Sequence, residues 1–149
     1  LAIIERSCPG RYGARLQAIV REALCSKSPV IRTSAFAAVR EIPTIADSTW
    51  MPLLLGTRDP DSEAAALAFD AISTKQDAHL TRAQWKMALY SLRIAQLSTS
   101  IKVRRAAARA ASRLEPQSPS KAIRAEVSAI RGLFADDTAH SVRVAGNAR

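Results

Sequence analysis

The sequence has few of the residues from which catalytic and metal centres are built. Only 2 histidines and 2 cysteines occur among its 149 residues. His79 and His140 lie in predicted turns, without Glu or Cys at the spacing that metal ligands require. The glycine-rich loops that bind nucleotide phosphates, Gly-x-x-x-x-Gly-Lys and Gly-x-Gly-x-x-Gly, are missing. We therefore expect no catalytic residue, no metal, no cofactor and no small-molecule substrate.

The use of cysteine favours a reducing environment. Cys8 and Cys25 belong to no Cys-x-x-Cys or Cys/His cluster, and two thiols seldom form a disulfide framework in a chain of this length. The sequence thus predicts a cytoplasmic protein. We expect Cys8 to lie in a loop and Cys25 to be a small buried hydrophobic residue.

Long apolar runs are absent as well. A helix needs roughly 20 apolar residues to cross a bilayer, and no stretch of this chain approaches that length, so we expect no membrane partner. Residues 1–4 have neither an initiator Met nor a basic segment before them, and they do not resemble a signal peptide. Neither end resembles the polar cap of a repeat array, which indicates that residues 1–149 are a segment of a longer protein.

Aromatic residues make up only 5% of the chain, whereas alanine is abundant. Apolar residues recur with a period near 3.6, and the alternation typical of strands does not occur. The composition therefore predicts an all-α protein whose helices pack closely. Trp50 and Trp85 stand beside Met or Leu in predicted helices, where we expect them to pack in the core.

An internal repeat runs through the sequence. A turn residue, often followed by Pro, precedes an aliphatic–basic pair and then small residues at helical spacing, in segments 28–35, 59–66, 100–107 and 140–146. When Arg32, Glu63, Arg104 and Arg143 are aligned, the copies are 31, 41 and 39 residues apart, as in two-helix repeats. Each copy follows another helical stretch, at 14–25, 49–55, 81–96 and 121–134. We predict eight helices in four repeats, 1–42, 43–74, 78–115 and 119–149, within one domain.

Local signals mark where several helices begin and end. Ser28 before Pro29 and Asp59 before Pro60 are expected to be N-caps followed by Pro at the first helical position. Thr81 with Gln84 has capping-box spacing. Ser48 is the expected cap of a short or kinked helix that contains Pro52. Gly56 is expected to end that helix in the left-handed conformation.

The recurring turn-Pro-x-Val-Arg-x-x-Ala pattern resembles the second helix of HEAT and HEAT-like repeats, and the resemblance covers essentially the whole chain. It implies a right-handed α-solenoid of about four helix pairs, whose second helices line the concave face. It also implies that Arg32, Arg104 and Arg143 brace neighbouring repeats, with Glu63 departing from the pattern. Such solenoids commonly act as scaffolds for protein–protein interaction. Some DNA glycosylases have similar folds, but no Asp here accompanies the tryptophans in the way that base excision would need.

Positive charge is concentrated in the second half of the chain. The net charge of +9 divides into +1 for residues 1–75 (9 basic, 8 acidic) and +8 for residues 76–149 (13 basic, 5 acidic). On a helical projection of residues 102–114, one stripe consists of Lys102, Arg105, Arg109 and Arg113. The opposite side is the predicted packing face, which consists of Val103, Ala107, Ala110, Ala111 and Leu114. A second, looser stripe consists of Lys121, Arg124 and Arg131.

These seven basic residues are the candidate binding residues. Clustered Arg suits either an acidic protein surface or phosphate, and a solvated face without a partner is the third alternative. The aligned positions in the first repeat are Val30, Thr33, Ala37 and Glu41, and those in the second are Asp61, Ala64, Ala68 and Ile72. Because the basic character does not extend into these repeats, a long nucleic-acid groove is disfavoured. We therefore expect a non-catalytic scaffold with a protein partner, and a nucleic-acid-binding solenoid is the alternative.

Overall fold

The described part of the protein consists of seven α-helices. The computed structural model describes residues 13–42, 45–76, 79–137 and 146. The helices are α1 (Gly13–Leu24), α2 (Pro29–Glu41), α3 (Asp47–Gly56), α4 (Ser62–Ser73), α5 (Arg82–Gln96), α6 (Ile101–Leu114) and α7 (Lys121–Ala135). These ranges contain no strand, which confirms the all-α class. Most of the predicted eighth helix, including Arg143, lies outside the described residues, as do Cys8 and His140.

The helices contact one another in two parallel series. Contacts within pairs join α1 to α2, α3 to α4 and α5 to α6, and α6 also contacts α7. Contacts between pairs join α1 to α3, α3 to α5 and α5 to α7 in one series, and α2 to α4 and α4 to α6 in the other. The buried side chains of all these helices form one hydrophobic cluster. Each helix pair therefore shares its core with its neighbours.

The most extensive contact is between α4 and α6, and alanine is the commonest buried residue of both helices. The buried alanines of α4 are Ala64, Ala65, Ala66, Ala68 and Ala71. Those of α6 are Ala106, Ala107, Ala108, Ala110 and Ala111. The whole predicted packing face of α6, Val103 and Leu114 included, is buried and is thus confirmed. Trp50 and Trp85 are each 2% exposed, which confirms that they belong to the core.

The local signals for helix starts are correct for α5 and wrong for α4. The Thr81 hydroxyl accepts the Gln84 N–H at 3.3 Å, and the Gln84 side chain accepts the Thr81 N–H at 2.8 Å, so the capping box is confirmed. Helix α4 begins at Ser62, and its N-cap is Asp61, which accepts two backbone N–H groups at 2.9 Å. The predicted cap, Asp59, is instead paired with a side chain of α2, as described below.

Helix α2 starts as predicted, with Ser28 as N-cap and Pro29 in the first turn, although the Ser28 side chain accepts no backbone N–H of that helix. Three other local predictions, for Ser48, Cys25 and Gly56, are wrong. Helix α3 begins at Asp47, with Ala46 and not Ser48 as its N-cap, but it is short, at 10 residues, and contains Pro52, as predicted. Cys25 is exposed, because it follows the last residue of α1 in a turn.

Gly56 is needed for close packing and not for a left-handed turn. It is the last residue of α3, and Thr57, in the right-handed region, follows it as the C-cap. A Cβ at Gly56 would overlap the ring of Phe36, which is fully buried. Only glycine therefore allows the end of α3 to approach the side of α2 so closely.

We predict that Gly56→Ala lowers the free energy of unfolding by about 1–3 kcal/mol, because the Phe36 ring has to move within a packed core. Gly132→Ala is the matched control, since no atom lies within 4 Å of a Cβ added there. In α7 that substitution should instead stabilise the protein by about 0.5–1 kcal/mol through helix propensity. Urea denaturation measures both effects, and equal stabilities for the two variants would contradict the packing role of Gly56.

Candidate interaction site

An arginine of α2 is bound to the turn that precedes α4. The Arg32 Nε and Nη2 atoms donate to the two carboxylate oxygens of Asp59 at 2.5 and 2.8 Å. Its Nη1 donates to the carbonyl oxygens of Ser26 and Lys27 at 2.9 and 3.0 Å. The hydrogen bond from Arg32 holds the pKa of the Asp59 carboxyl below its usual range, although burial opposes the shift. We refer to this arrangement as a brace.

Helix α6 carries the same brace. The Arg104 Nε and Nη2 atoms donate to Asp137 at 2.6 and 3.3 Å, and Nη1 donates to the carbonyl oxygens of Ser98 and Thr99 at 2.8 and 3.3 Å. Arg32 and Arg104 are each the fourth residue of their helix. Each therefore ties the turn before its own helix to a turn two helices further along the chain, which fits the bracing of neighbouring repeats that the sequence resemblance implies. Arg143 lies outside the described residues.

The brace is missing between α4 and the turn before α6. Because α4 begins at Ser62, its fourth residue is Ala65 and not the aligned Glu63. In the turn before α6, the residue equivalent to Asp59 is Ser98, which likewise lies two residues before the N-cap. Both side chains accept the backbone N–H two residues further on, Asp59 at 2.9 Å and Ser98 at 3.2 Å. The two turns are thus equivalent, but the turn before α6 has no carboxylate at this position, and α4 has no arginine to reach it.

With α4 beginning at Ser62, the basic stripe of α6 also pairs with acidic residues of α4. The Lys102 Nζ atom donates to Glu63 at 2.7 Å, and Arg109 binds Asp70, with its Nε at 3.2 Å. Glu63 and Asp70 stand 39 residues before Lys102 and Arg109. The sequence alignment was shifted by two residues, so it compared the stripe with the wrong positions of α4. The signal that could have found the pairs is their common spacing of seven residues within each helix.

The seven candidate residues therefore fall into two groups. Four bind groups of this chain: Lys102 and Arg109 as above, Arg113 through Nε to the Lys75 carbonyl at 2.8 Å, and Arg131 to Glu115 at 2.7 Å. The other three, Arg105, Lys121 and Arg124, are exposed, and they have no partner within the described ranges. The α6 stripe is thus turned partly towards α4 and only partly towards solvent.

A buried lysine, Lys75, lies next to Arg113 at the end of the α6 stripe. Lys75 is only 1% exposed, and its Nζ atom donates to the carbonyl oxygens of Val39, at 2.6 Å, and Ile42. Burial lowers its pKa to about 8, and the charge of Glu41 opposes the shift. The ammonium group satisfies carbonyls at the end of α2, where a cation is favoured. Because Arg113 binds the Lys75 carbonyl, this residue links α2 to α6.

The described residues contain no group of three or more His, Cys, Asp or Glu side chains arranged to hold a metal ion. None of the described helices has the length and apolar character needed to cross a bilayer. No family model, curated protein or solved structure matches the chain.

We predict that the burial of Lys75 gives stability a distinctive pH dependence. Below pH 8 the amine is protonated in both states, so the cost of burying its charge is constant. Between pH 8 and about 10.4 the unfolded chain keeps a proton that the folded chain has lost, and stability therefore rises with pH. Relative to Lys75→Met, the wild-type free energy of unfolding should gain up to about 3 kcal/mol between pH 7 and pH 10.

Urea denaturation at intervals of one pH unit measures this gain. Lys86→Met, at an exposed position of α5, controls for the loss of a lysine charge, and its profile should run parallel to the wild type. If the Lys75→Met profile is also parallel, the amine is not buried as described.

We also predict that the missing brace can be restored. Ala65→Arg and Ser98→Asp together recreate the pair seen at Arg32 and Asp59, and in a double-mutant cycle they should couple favourably by about 1–2 kcal/mol. The control combines Ala65→Arg with Ser26→Asp, which carries the same charges but places the carboxylate in the turn before α2. Its coupling should be near zero, and equal coupling in both cycles would contradict the equivalence of the turns.

Proposed function

We propose that this chain is a segment of a right-handed HEAT-like α-solenoid and serves as a non-catalytic scaffold for protein–protein interaction in the cytoplasm. The observation that carries the proposal is the brace that recurs at Arg32 and Arg104, in the same position of two helices. Arginines of the second helices that brace neighbouring repeats are what the sequence resemblance implies.

The arrangement of the core supports the same proposal. A single helix pair cannot bury its own apolar face, so repeats are stable only when neighbouring pairs share a core. The helices of this chain contact the helices two places further along, and their buried side chains form one cluster. This pattern of neighbour contacts is typical of repeat arrays, whose extended surfaces commonly bind other proteins.

The proposed contact surface is centred on Arg105 of α6, and Lys121 and Arg124 of α7 are its further candidates. These side chains are exposed, and arginine binds carboxylates well because its planar group donates two parallel hydrogen bonds. An acidic protein surface is therefore the partner that we propose. Lys102 is also exposed, but it bonds to Glu63.

Nucleic acid is the less supported alternative. Phosphate binding needs several free cations along one surface, whereas four of the seven candidates bind groups of this chain. The equivalent face of α4 is acidic at Glu63 and Asp70. A phosphate backbone that followed α6 onto α4 would therefore meet negative charge.

We predict that a photo-crosslinking amino acid at position 105 of the full-length protein captures a protein partner in cells. Arg124→Glu should lower the yield at least fivefold, because it reverses a charge on the neighbouring helix without touching the core. The same crosslinker at Arg15, an exposed arginine of α1, should capture much less.

Binding to random duplex DNA distinguishes the alternative. We expect weak binding that Arg105→Glu with Arg124→Glu leaves unchanged, with Arg15→Glu and Arg21→Glu as the control of equal charge. Binding that falls steeply between about 50 and 200 mM salt, and that only the first pair of substitutions abolishes, would replace the proposed function with nucleic-acid binding. Equal crosslinking at positions 105 and 15 would remove the proposed surface.

A further inference from the structure

A groove of about 520 Å³ lies where the brace is missing. One side of it is the turn between α3 and α4, and the other is the end of α5 with the start of α6. Its lining includes the polar residues Arg58, Asp59 and Ser98 and the apolar residues Ala65, Ile94 and Leu97. Ala65 and Ser98, which stand in place of the braced Arg and Asp, both face this groove.

The chain itself shows which chemical group fits such a position. In the two braced turns, one guanidinium nitrogen donates to the carbonyl oxygens of the two residues before the N-cap. At the groove the equivalent carbonyls belong to Asp59 and Pro60, which precede the N-cap Asp61. Within the described ranges, no side chain donates to these two carbonyl oxygens. A guanidinium in the groove would therefore find the same pair of acceptors.

The groove also suits the stem of an arginine side chain. Leu97 is 78% exposed and Ile94 is 42% exposed, and both border the groove. The methylene groups of arginine pack on such apolar surface while the charged end reaches polar groups. The polar end here would lie between the Asp59 and Pro60 carbonyls and the Ser98 hydroxyl.

The charges at the groove make binding weak but selective for a planar cation. Arg58, which lines the groove, lies over the Tyr90 ring, 5.5 Å from its centre. Its charge opposes a second cation, and the carboxylate in the lining, Asp59, is already paired with Arg32. Affinity must therefore come from carbonyl acceptors and apolar contact, which favour the fork of a guanidinium over a compact ammonium group.

We propose that this groove is a docking site for an arginine side chain of a protein partner, which takes the place that Arg32 and Arg104 occupy in the braced turns. The proposal rests on the proposed function, because a protein scaffold brings such a partner. It concerns the junction between α4 and α6, away from the exposed arginine at position 105.

The test titrates the isotope-labelled chain with N-acetyl-arginine amide and follows backbone amide signals by NMR. We expect saturable shifts at the turn before α4 and at Ser98 and Thr99, and at least tenfold weaker binding of N-acetyl-lysine amide. Ser98→Asp supplies the carboxylate found in both braces and should tighten binding about tenfold, which is 1.4 kcal/mol. Ala65→Arg places the chain's own guanidinium in the groove and should abolish binding.

Ser26→Asp is the matched control, because Ser26 accepts the N–H of Ser28 just as Ser98 accepts that of Ser100. It adds the same charge in the turn before α2 and should leave the shifts at Ser98 unchanged. Equal binding of arginine and lysine, or undiminished binding by a folded Ala65→Arg variant, would overturn the proposal. If Ala65→Arg does not fold, a Ser98→Asp variant that binds no more tightly than Ser26→Asp overturns it. None of these outcomes alters crosslinking at position 105, so the proposed function is tested separately.

Discussion

The close contact between the alanine faces of α4 and α6 determines how the rest of the structure is arranged. Because most of the buried side chains on both faces are alanine methyl groups, the helices approach closely enough for residues at their edges to meet. Glu63 reaches Lys102, and Asp70 reaches Arg109. The same contact therefore removes much of the basic stripe from the surface, and it leaves Arg105 as the exposed cation of α6 without a partner in the described part of the chain.

The junctions between neighbouring turns are built in two ways. At Arg32 and Arg104 a guanidinium ties two turns together, and its five donors satisfy a carboxylate and two carbonyls at once. At Ala65 this tie is absent, and the alanine contact with its two ion pairs holds the junction instead. The junction that lacks a brace presents an open groove.

Sequence patterns predicted much of the fold and little of the candidate site. The capping box at Thr81, the packing face of α6 and the core positions of both tryptophans are confirmed, since each depends on residues within a few turns of one helix. The start of α4 was wrong because Asp59 and Asp61 are both good caps, and only the competing bond from Arg32 decides between them. An alignment error of two residues corresponds to a rotation of about 200° and a shift of about 3 Å along the helix. The aligned positions of α4 therefore missed the acidic partners of α6.

The sequence by itself determined the helical class, the amphipathic face of α6 and the arginines that occupy the fourth position of α2 and α6, because helical periodicity and capping are local. The tertiary structure alone decided that Gly56 makes room for Phe36, that Lys75 is buried on the carbonyls at the end of α2, and that Cys25 is exposed. These features depend on how far one helix is displaced along another. That displacement is fixed by the packing of side chains that are distant in the sequence, and no short pattern records it.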